Sequence, residues 1–90
     1  MSTQGTTTVD FGTGTTDVSV AVASAGITAL QLVEAWVFPA ATVSNTVDNH
    51  WVEDLNVVAG SVSAGVGFTV YAKCNTGMAH GIYNIGWVYN

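Results

Sequence analysis

The stretch Gly67-Phe68-Thr69-Val70-Tyr71-Ala72-Lys73 decides the fold class of this chain. Apolar and polar side chains alternate along it, and a period of two is typical of a strand with one buried face. The same alternation recurs in residues 18–22 and 82–89, and the chain is rich in Val and Thr, which favour strands. All three segments are therefore predicted to be half-buried β-strands.

Further strand-like segments lie between these three. Residues 30–38 fit a helix or a strand by composition, but the segment is short, ends at Pro39 and has strand-like neighbours, so a strand is favoured. Residues 40–49 are predicted to form a loop, and residues 51–58 another strand. Together these elements predict an all-β fold: an antiparallel β-sandwich, jelly-roll-like, with about six strands.

The chain is expected to form one domain. Residues 1–7 are small and polar and contain no apolar anchor, which predicts a flexible N-terminal arm. Residues 8–90 are predicted to form a single β-sandwich domain. A domain of this size buries only about 60–65% of the surface of its unfolded chain, so association with other subunits is a common way to stabilise it.

Charged side chains are unusually rare in this sequence. Lys73 is the single basic side chain, 8% of residues are charged and 49% are apolar, whereas about a quarter of a typical soluble domain is charged. A net charge of -5 argues against nucleic acid and against an anionic membrane surface, because both require several Lys or Arg side chains. No signal peptide or membrane-spanning run is recognisable. We expect a homo-oligomer, such as a trimer, that rests against other protein surfaces.

Few residues offer catalytic or metal-binding chemistry. His50, Glu53, Asp54 and His80 are the only plausible metal set, but their spacing matches no zinc pattern well, and they are interpreted as polar groups of loops or the surface. Cys74 is alone and is interpreted as a small, partly buried apolar residue. The sequence therefore predicts no metal, no cofactor and no catalytic residues, that is, a protein that is not an enzyme.

The aromatic side chains are the remaining candidates for a binding site. They could form a sugar-stacking face or fill the core and the subunit interfaces, and the second interpretation is favoured. In the last strand Tyr83, Trp87 and Tyr89 share one side and seem too large for so small a core. These three are therefore the candidate interface, and Ile82 and Val88 are expected to face the interior. The full aromatic set comprises Trp36, Trp51, Tyr71, Tyr83, Trp87 and Tyr89.

Four segments give the chain a family resemblance. They are VSAGVGFTVYA at residues 62–72, HGIYNIGWVYN at residues 80–90, TVDFG at residues 8–12 and VEAW at residues 33–36. With the Val-rich strand between the last two, this pattern resembles small virion proteins of tailed bacteriophages. The resemblance covers most of residues 8–90 and rests on structural segments, not on catalytic ones.

The resemblance implies a structural role in a phage particle. The function expected from it is that of a non-enzymatic head decoration or cement protein, which would bind the major capsid protein or other virion proteins and stabilise the shell. Its location would be the virion, assembled in the host cytoplasm. The resemblance leaves the neck and tail open as locations. A carbohydrate- or receptor-binding module of a tail or fibre is the alternative, based on the aromatic side chains.

Overall fold

The computed structural model describes residues 2–90, which form six strands and one short helix. Strand β1 is Thr3–Asp10, β2 is Asp17–Ala23, β3 is Val33–Val37, helix α1 is Val47–Val52, β4 is Leu55–Ser63, β5 is Gly67–Cys74 and β6 is Ile82–Tyr89.

Two three-stranded antiparallel sheets face each other. One has the order β1-β6-β3 and the other the order β2-β5-β4. The first strand thus pairs with the sixth and the second with the fifth, which is the pairing of a long hairpin rolled onto itself, as in jelly rolls. The prediction of an all-β antiparallel sandwich with about six strands is confirmed.

The core lies between the two sheets and is built mainly from the inward rows of β5 and β6. Phe68, Val70 and Ala72 face inward from β5, as their alternation predicts, and Ile85 at the centre of β6 is fully buried. The buried apolar side chains are Val9, Phe11, Ile27, Phe68, Val70, Ala72, Cys74, Ala79, Tyr83, Ile85 and Tyr89.

The aromatic row of β6 lies inside the subunit, so the prediction that it forms an intersubunit contact is wrong. Tyr83 and Tyr89 are only 2% and 4% exposed, and Trp87 is half-buried against the same core. Ile82 and Val88, which were expected inside, lie on the outer face. The core has room because glycine lies beneath the largest ring: a Cβ added at Gly5 would be 2.5 Å from the Trp87 ring.

The predicted flexible arm is a strand. Residues 3–7 belong to β1, which pairs with β6 along its whole length, from Thr3 opposite Tyr89 to Asp10 opposite Ile82. Backbone hydrogen bonds to β6 order this segment, although most of its side chains are exposed. Residue 1 lies outside the described residues, so the prediction for that position concerns no described part of the chain.

A short helix replaces part of the predicted loop and the start of the predicted strand at residues 51–58. The Oγ1 of Thr46 accepts a hydrogen bond from the backbone N–H of Asn49 at 3.3 Å, which caps α1 at its N-terminus. Asp48 in the first turn favours the positive end of the helix. Strand β4 therefore begins at Leu55, four residues later than predicted.

Candidate interaction surface and polar cleft

The outer face of β3 and its flanks carry large exposed apolar side chains. Leu32 is 80% exposed, Phe38 is 45% exposed and Trp36 is 44% exposed. Because side chains alternate along a strand, these three share the solvent side with Glu34, while Val33, Ala35 and Val37 pack against the core. The outward row was visible in the sequence as the even-numbered residues of this segment.

Trp36 lies across the neighbouring strand. Its Nε1 would be 2.6 Å from a Cβ added at Gly86, the residue opposite it on β6. Glycine at this position allows the indole to lie against the sheet backbone. The ring is thus held in place while one of its faces stays accessible to a partner.

Helix α1 extends this apolar surface beyond the end of β3. Trp51 and Val52 are 72% and 71% exposed, and they line a groove of about 480 Å³ together with Val37 and Pro39. Leu32, Trp36, Phe38, Trp51 and Val52 are hereafter called the β3–α1 surface. Exposed apolar side chains grouped in this way are typical of protein contact sites.

A buried histidine fixes α1 to the sandwich. His50 is 1% exposed, its Nδ1 lies 2.7 Å from the Thr46 carbonyl oxygen, and its Nε2 lies 3.0 Å from the backbone nitrogen of Asn84. The Asn84 N–H must donate, so Nε2 is the acceptor and Nδ1 carries the proton that is donated to Thr46. His50 thereby ties the helix to the end of β6, and the expectation that it is a surface or loop group is wrong.

A polar cleft of about 230 Å³ lies beside α1. Tyr83 forms its floor, and burial, followed by the negative charge of Glu53 and the proximity of Cys74, raises the pKa of its phenol. The Cys74 thiol donates a hydrogen bond to Glu53 Oε1 at 3.0 Å. The lining residues are Asn45, Asn49, Val52, Glu53, His80 and Tyr83.

This cleft brings together only part of the titratable set considered from the sequence. Glu53 and His80 line it, whereas both ring nitrogens of His50 are engaged elsewhere. A reactive cysteine needs an electropositive environment, and Cys74 is instead buried next to a carboxylate. Within residues 2–90, no three His, Cys, Asp or Glu side chains are close enough to share a metal ion.

The aromatic side chains do not form one platform. Tyr83, Trp87 and Tyr89 lie inside, whereas Trp36 and Trp51 belong to the β3–α1 surface. Tyr71 lies on the opposite sheet, where its hydroxyl is 2.5 Å from Ser61 Oγ. A sugar-stacking face built from all six rings is therefore excluded by their placement.

Comparison with known proteins adds no relative to this picture. No family model, no curated protein and no solved structure matches the chain significantly. Of the helical segments in residues 2–90, none has the length and apolar character needed to cross a membrane.

Proposed function

We propose that this chain is a non-enzymatic structural protein of a bacteriophage particle, acting as a head decoration or cement protein. It binds the major capsid protein or other virion proteins after assembly in the host cytoplasm, and copies of the chain associate with one another. Binding to the assembled shell stabilises that shell by mass action, because the bound protein favours the closed lattice over its separated subunits.

The β3–α1 surface is the observation that carries this proposal. It leaves two tryptophans and a phenylalanine at least 44% exposed in a domain of 90 residues. Trp and other aromatic side chains are enriched in the energetically dominant centres of protein interfaces. The ordered positions of Trp36 on Gly86 and of α1 on His50 support a preformed docking surface.

The scarcity of charge supports the same role. With a single Lys, many copies can lie side by side on a lattice without unpaired basic groups at their contacts. Nearly all of the acidic side chains are exposed, so burying the β3–α1 surface removes only Glu34 and the groups at the rim of the α1 groove from water. Interfaces of this kind have an apolar centre and a polar rim.

Copy number in purified particles tests the proposal. In particles of a phage that encodes this chain, quantitative mass spectrometry should find the chain at a stoichiometry approaching that of the major capsid protein. Absence of the chain from particles would refute the proposal. A few copies per particle would instead indicate a tail component.

Reconstitution tests the surface. Particles lacking the chain should bind the wild-type protein and become more resistant to heat, whereas Trp51→Ser should bind at least about tenfold more weakly, as expected for loss of an interface aromatic. Tyr71→Ser is the matched control, because Tyr71 is exposed on the opposite sheet. Equal binding by both variants would place the contact elsewhere.

A carbohydrate- or receptor-binding tail module is the second candidate. Trp51 is exposed beside Glu53 and Asp54 in the groove at α1, and an aromatic face next to carboxylates suits sugar binding. Quenching or a shift of tryptophan fluorescence by host surface glycans, lost in Trp51→Ser, would favour this function over the structural one.

A further inference from the structure

The backbone edge of β3 is free on the side opposite β6. Leu32 exchanges hydrogen bonds with Asn90, and the Phe38 N–H donates to the Asn84 carbonyl at 2.9 Å. In an antiparallel pair every second residue bonds to the neighbour, so the even-numbered residues of this segment face β6. The N–H and C=O groups of Val33, Ala35 and Val37 therefore point away from the sheet and have no backbone partner within residues 2–90.

The other three edge strands are less suited to pairing. The outward side chains of β1 are polar, including Gln4, Thr6 and Thr8, and β2 begins with Asp17. Strand β4 has a register shift between Gly60 and Ser63. Strand β3 has no bulge, no Pro and no Lys within it, and these are the usual devices that block edge-to-edge association.

We propose that two copies of this chain associate through antiparallel pairing of their β3 edges, with a twofold axis at Ala35. Ala35 then lies opposite the partner's Ala35, and Val33 lies opposite the partner's Val37. The sheet becomes a continuous six-stranded sheet with the order β1-β6-β3-β3-β6-β1. This inference rests on the self-association included in the proposed function and names the surface responsible.

Side-chain complementarity selects this register. On the outer face Leu32 lies opposite the partner's Phe38, which covers two exposed apolar groups, and Glu34 lies opposite the partner's Trp36. The indole N–H of Trp36 can donate to the partner's Glu34 carboxylate, and the symmetry repeats both pairs. Cross-strand pairs of these kinds stabilise antiparallel sheets.

The two neighbouring registers are worse. A twofold axis at Glu34 would place the two Glu34 carboxylates directly opposite each other, and like charges in that position are destabilising. An axis at Trp36 would place Pro39, which has no N–H, opposite Val33. It would also leave Glu34 facing the partner's Phe38. Only the axis at Ala35 gives each outward side chain from Leu32 to Phe38 a compatible partner.

An isologous contact of this type produces a dimer, in contrast to the trimeric ring anticipated from composition. Sedimentation velocity of the purified full-length chain should therefore show a concentration-dependent monomer–dimer equilibrium. In the dimer the amide protons of Val33, Ala35 and Val37 should exchange more slowly with solvent, whereas those of Val57 and Ala59 on the β4 edge should not change. A monomer at all accessible concentrations, or a trimer, would overturn the proposal.

Two edge substitutions locate the contact. Ala35→Pro removes an N–H that makes no bond to β6, so the subunit should stay folded by circular dichroism while the dimer Kd rises by about tenfold or more. Val57→Pro is the matched control, since its N–H also points away from its own sheet. Loss of the dimer in Val57→Pro but not in Ala35→Pro would assign the contact to β4 and refute the proposal.

Charge substitutions test the register without changing the backbone. Trp36→Glu places a carboxylate opposite the partner's Glu34 and should abolish the dimer, whereas Trp36→Lys forms an ion pair there and should retain it. Both variants lose the packing of the indole on Gly86 equally, so folding cannot explain a difference between them. Equal loss in both would refute the register. A monomer that still binds phage particles would remove the β3 contact and leave the proposed function standing.

Discussion

Aromatic side chains occupy two regions of this molecule under opposite conditions. On the inner row of β6, Tyr89 donates to or accepts from Ser24 Oγ at 2.5 Å, and Phe68 packs edge-on against Trp87 and Tyr89. On the β3–α1 surface, Trp51 is 72% exposed. The inner rings stabilise the fold, whereas the outer rings contribute little to it. The outer rings are therefore the better candidates for contacts with other molecules.

The largest effect is expected from removing a ring of the inner region. Phe68→Ala should lower the free energy of unfolding by about 3–5 kcal/mol, because Phe68 is 3% exposed and its loss leaves a cavity between the sheets. Phe38→Ala is the matched control at 45% exposure and should cost about 1 kcal/mol or less. Urea unfolding measures both values, and similar losses would erase the distinction between the two regions.

The next effect concerns the joint between the regions, where His50 holds α1 against β6. His50→Leu leaves the Asn84 N–H and the Thr46 carbonyl without their partner and should cost about 1–3 kcal/mol. His80→Leu, at an exposed position, should change stability by no more than about 0.5 kcal/mol. If His50→Leu were neutral, the hydrogen bonds of His50 would not be what positions the helix.

The strands were predictable because their side-chain alternation survives in the sequence. Strands β2, β3, β5 and β6 lie within the segments assigned to them. A period of two separates the side chains of a strand into two rows, but it does not tell which row faces inward. In β6 the choice was made on ring size, and it failed because Gly5 makes space for Trp87, a contact between residues far apart in sequence.

The misassigned segments depend on contacts that local patterns do not record. Strand β1 has one fully buried side chain, Val9, and forms because β6 offers backbone partners. Helix α1 had a local signal, the Thr46 cap with Asp48 in the first turn, but its apolar residues fit a strand equally well. The burial of His50 depends on Asn84, which is 34 residues away.

Alkaline pH should separate the regions through Tyr83. Its pKa is raised in the folded state, so above about pH 10 the unfolded chain releases this proton while the folded chain retains it. The stability linked to this group is therefore fully present below the unfolded pKa and is lost as pH rises through the folded pKa.

Tyr83→Phe lacks this proton and should lose less stability than the wild type between pH 9 and pH 11, in unfolding curves measured at each pH. Tyr71→Phe, on an exposed part of the opposite sheet, serves as the control for other alkaline effects. Parallel curves for the wild type and Tyr83→Phe would contradict the raised pKa. A steeper decline in the variant would reverse its sign.

The smallest effect on folding is expected at Trp51. The ring is 72% exposed, so Trp51→Ala should change the free energy of unfolding by no more than about 0.5 kcal/mol. The Thr46 cap and the hydrogen bonds of His50 remain in the variant, so α1 should keep its position. Heat-resistance assays of reconstituted particles should nevertheless detect the change, because an exposed Trp can dominate an interface without supporting the fold. A large loss of stability would show that Trp51 belongs functionally to the core. Unchanged stability together with unchanged particle binding would remove α1 from the docking surface and confine that surface to β3.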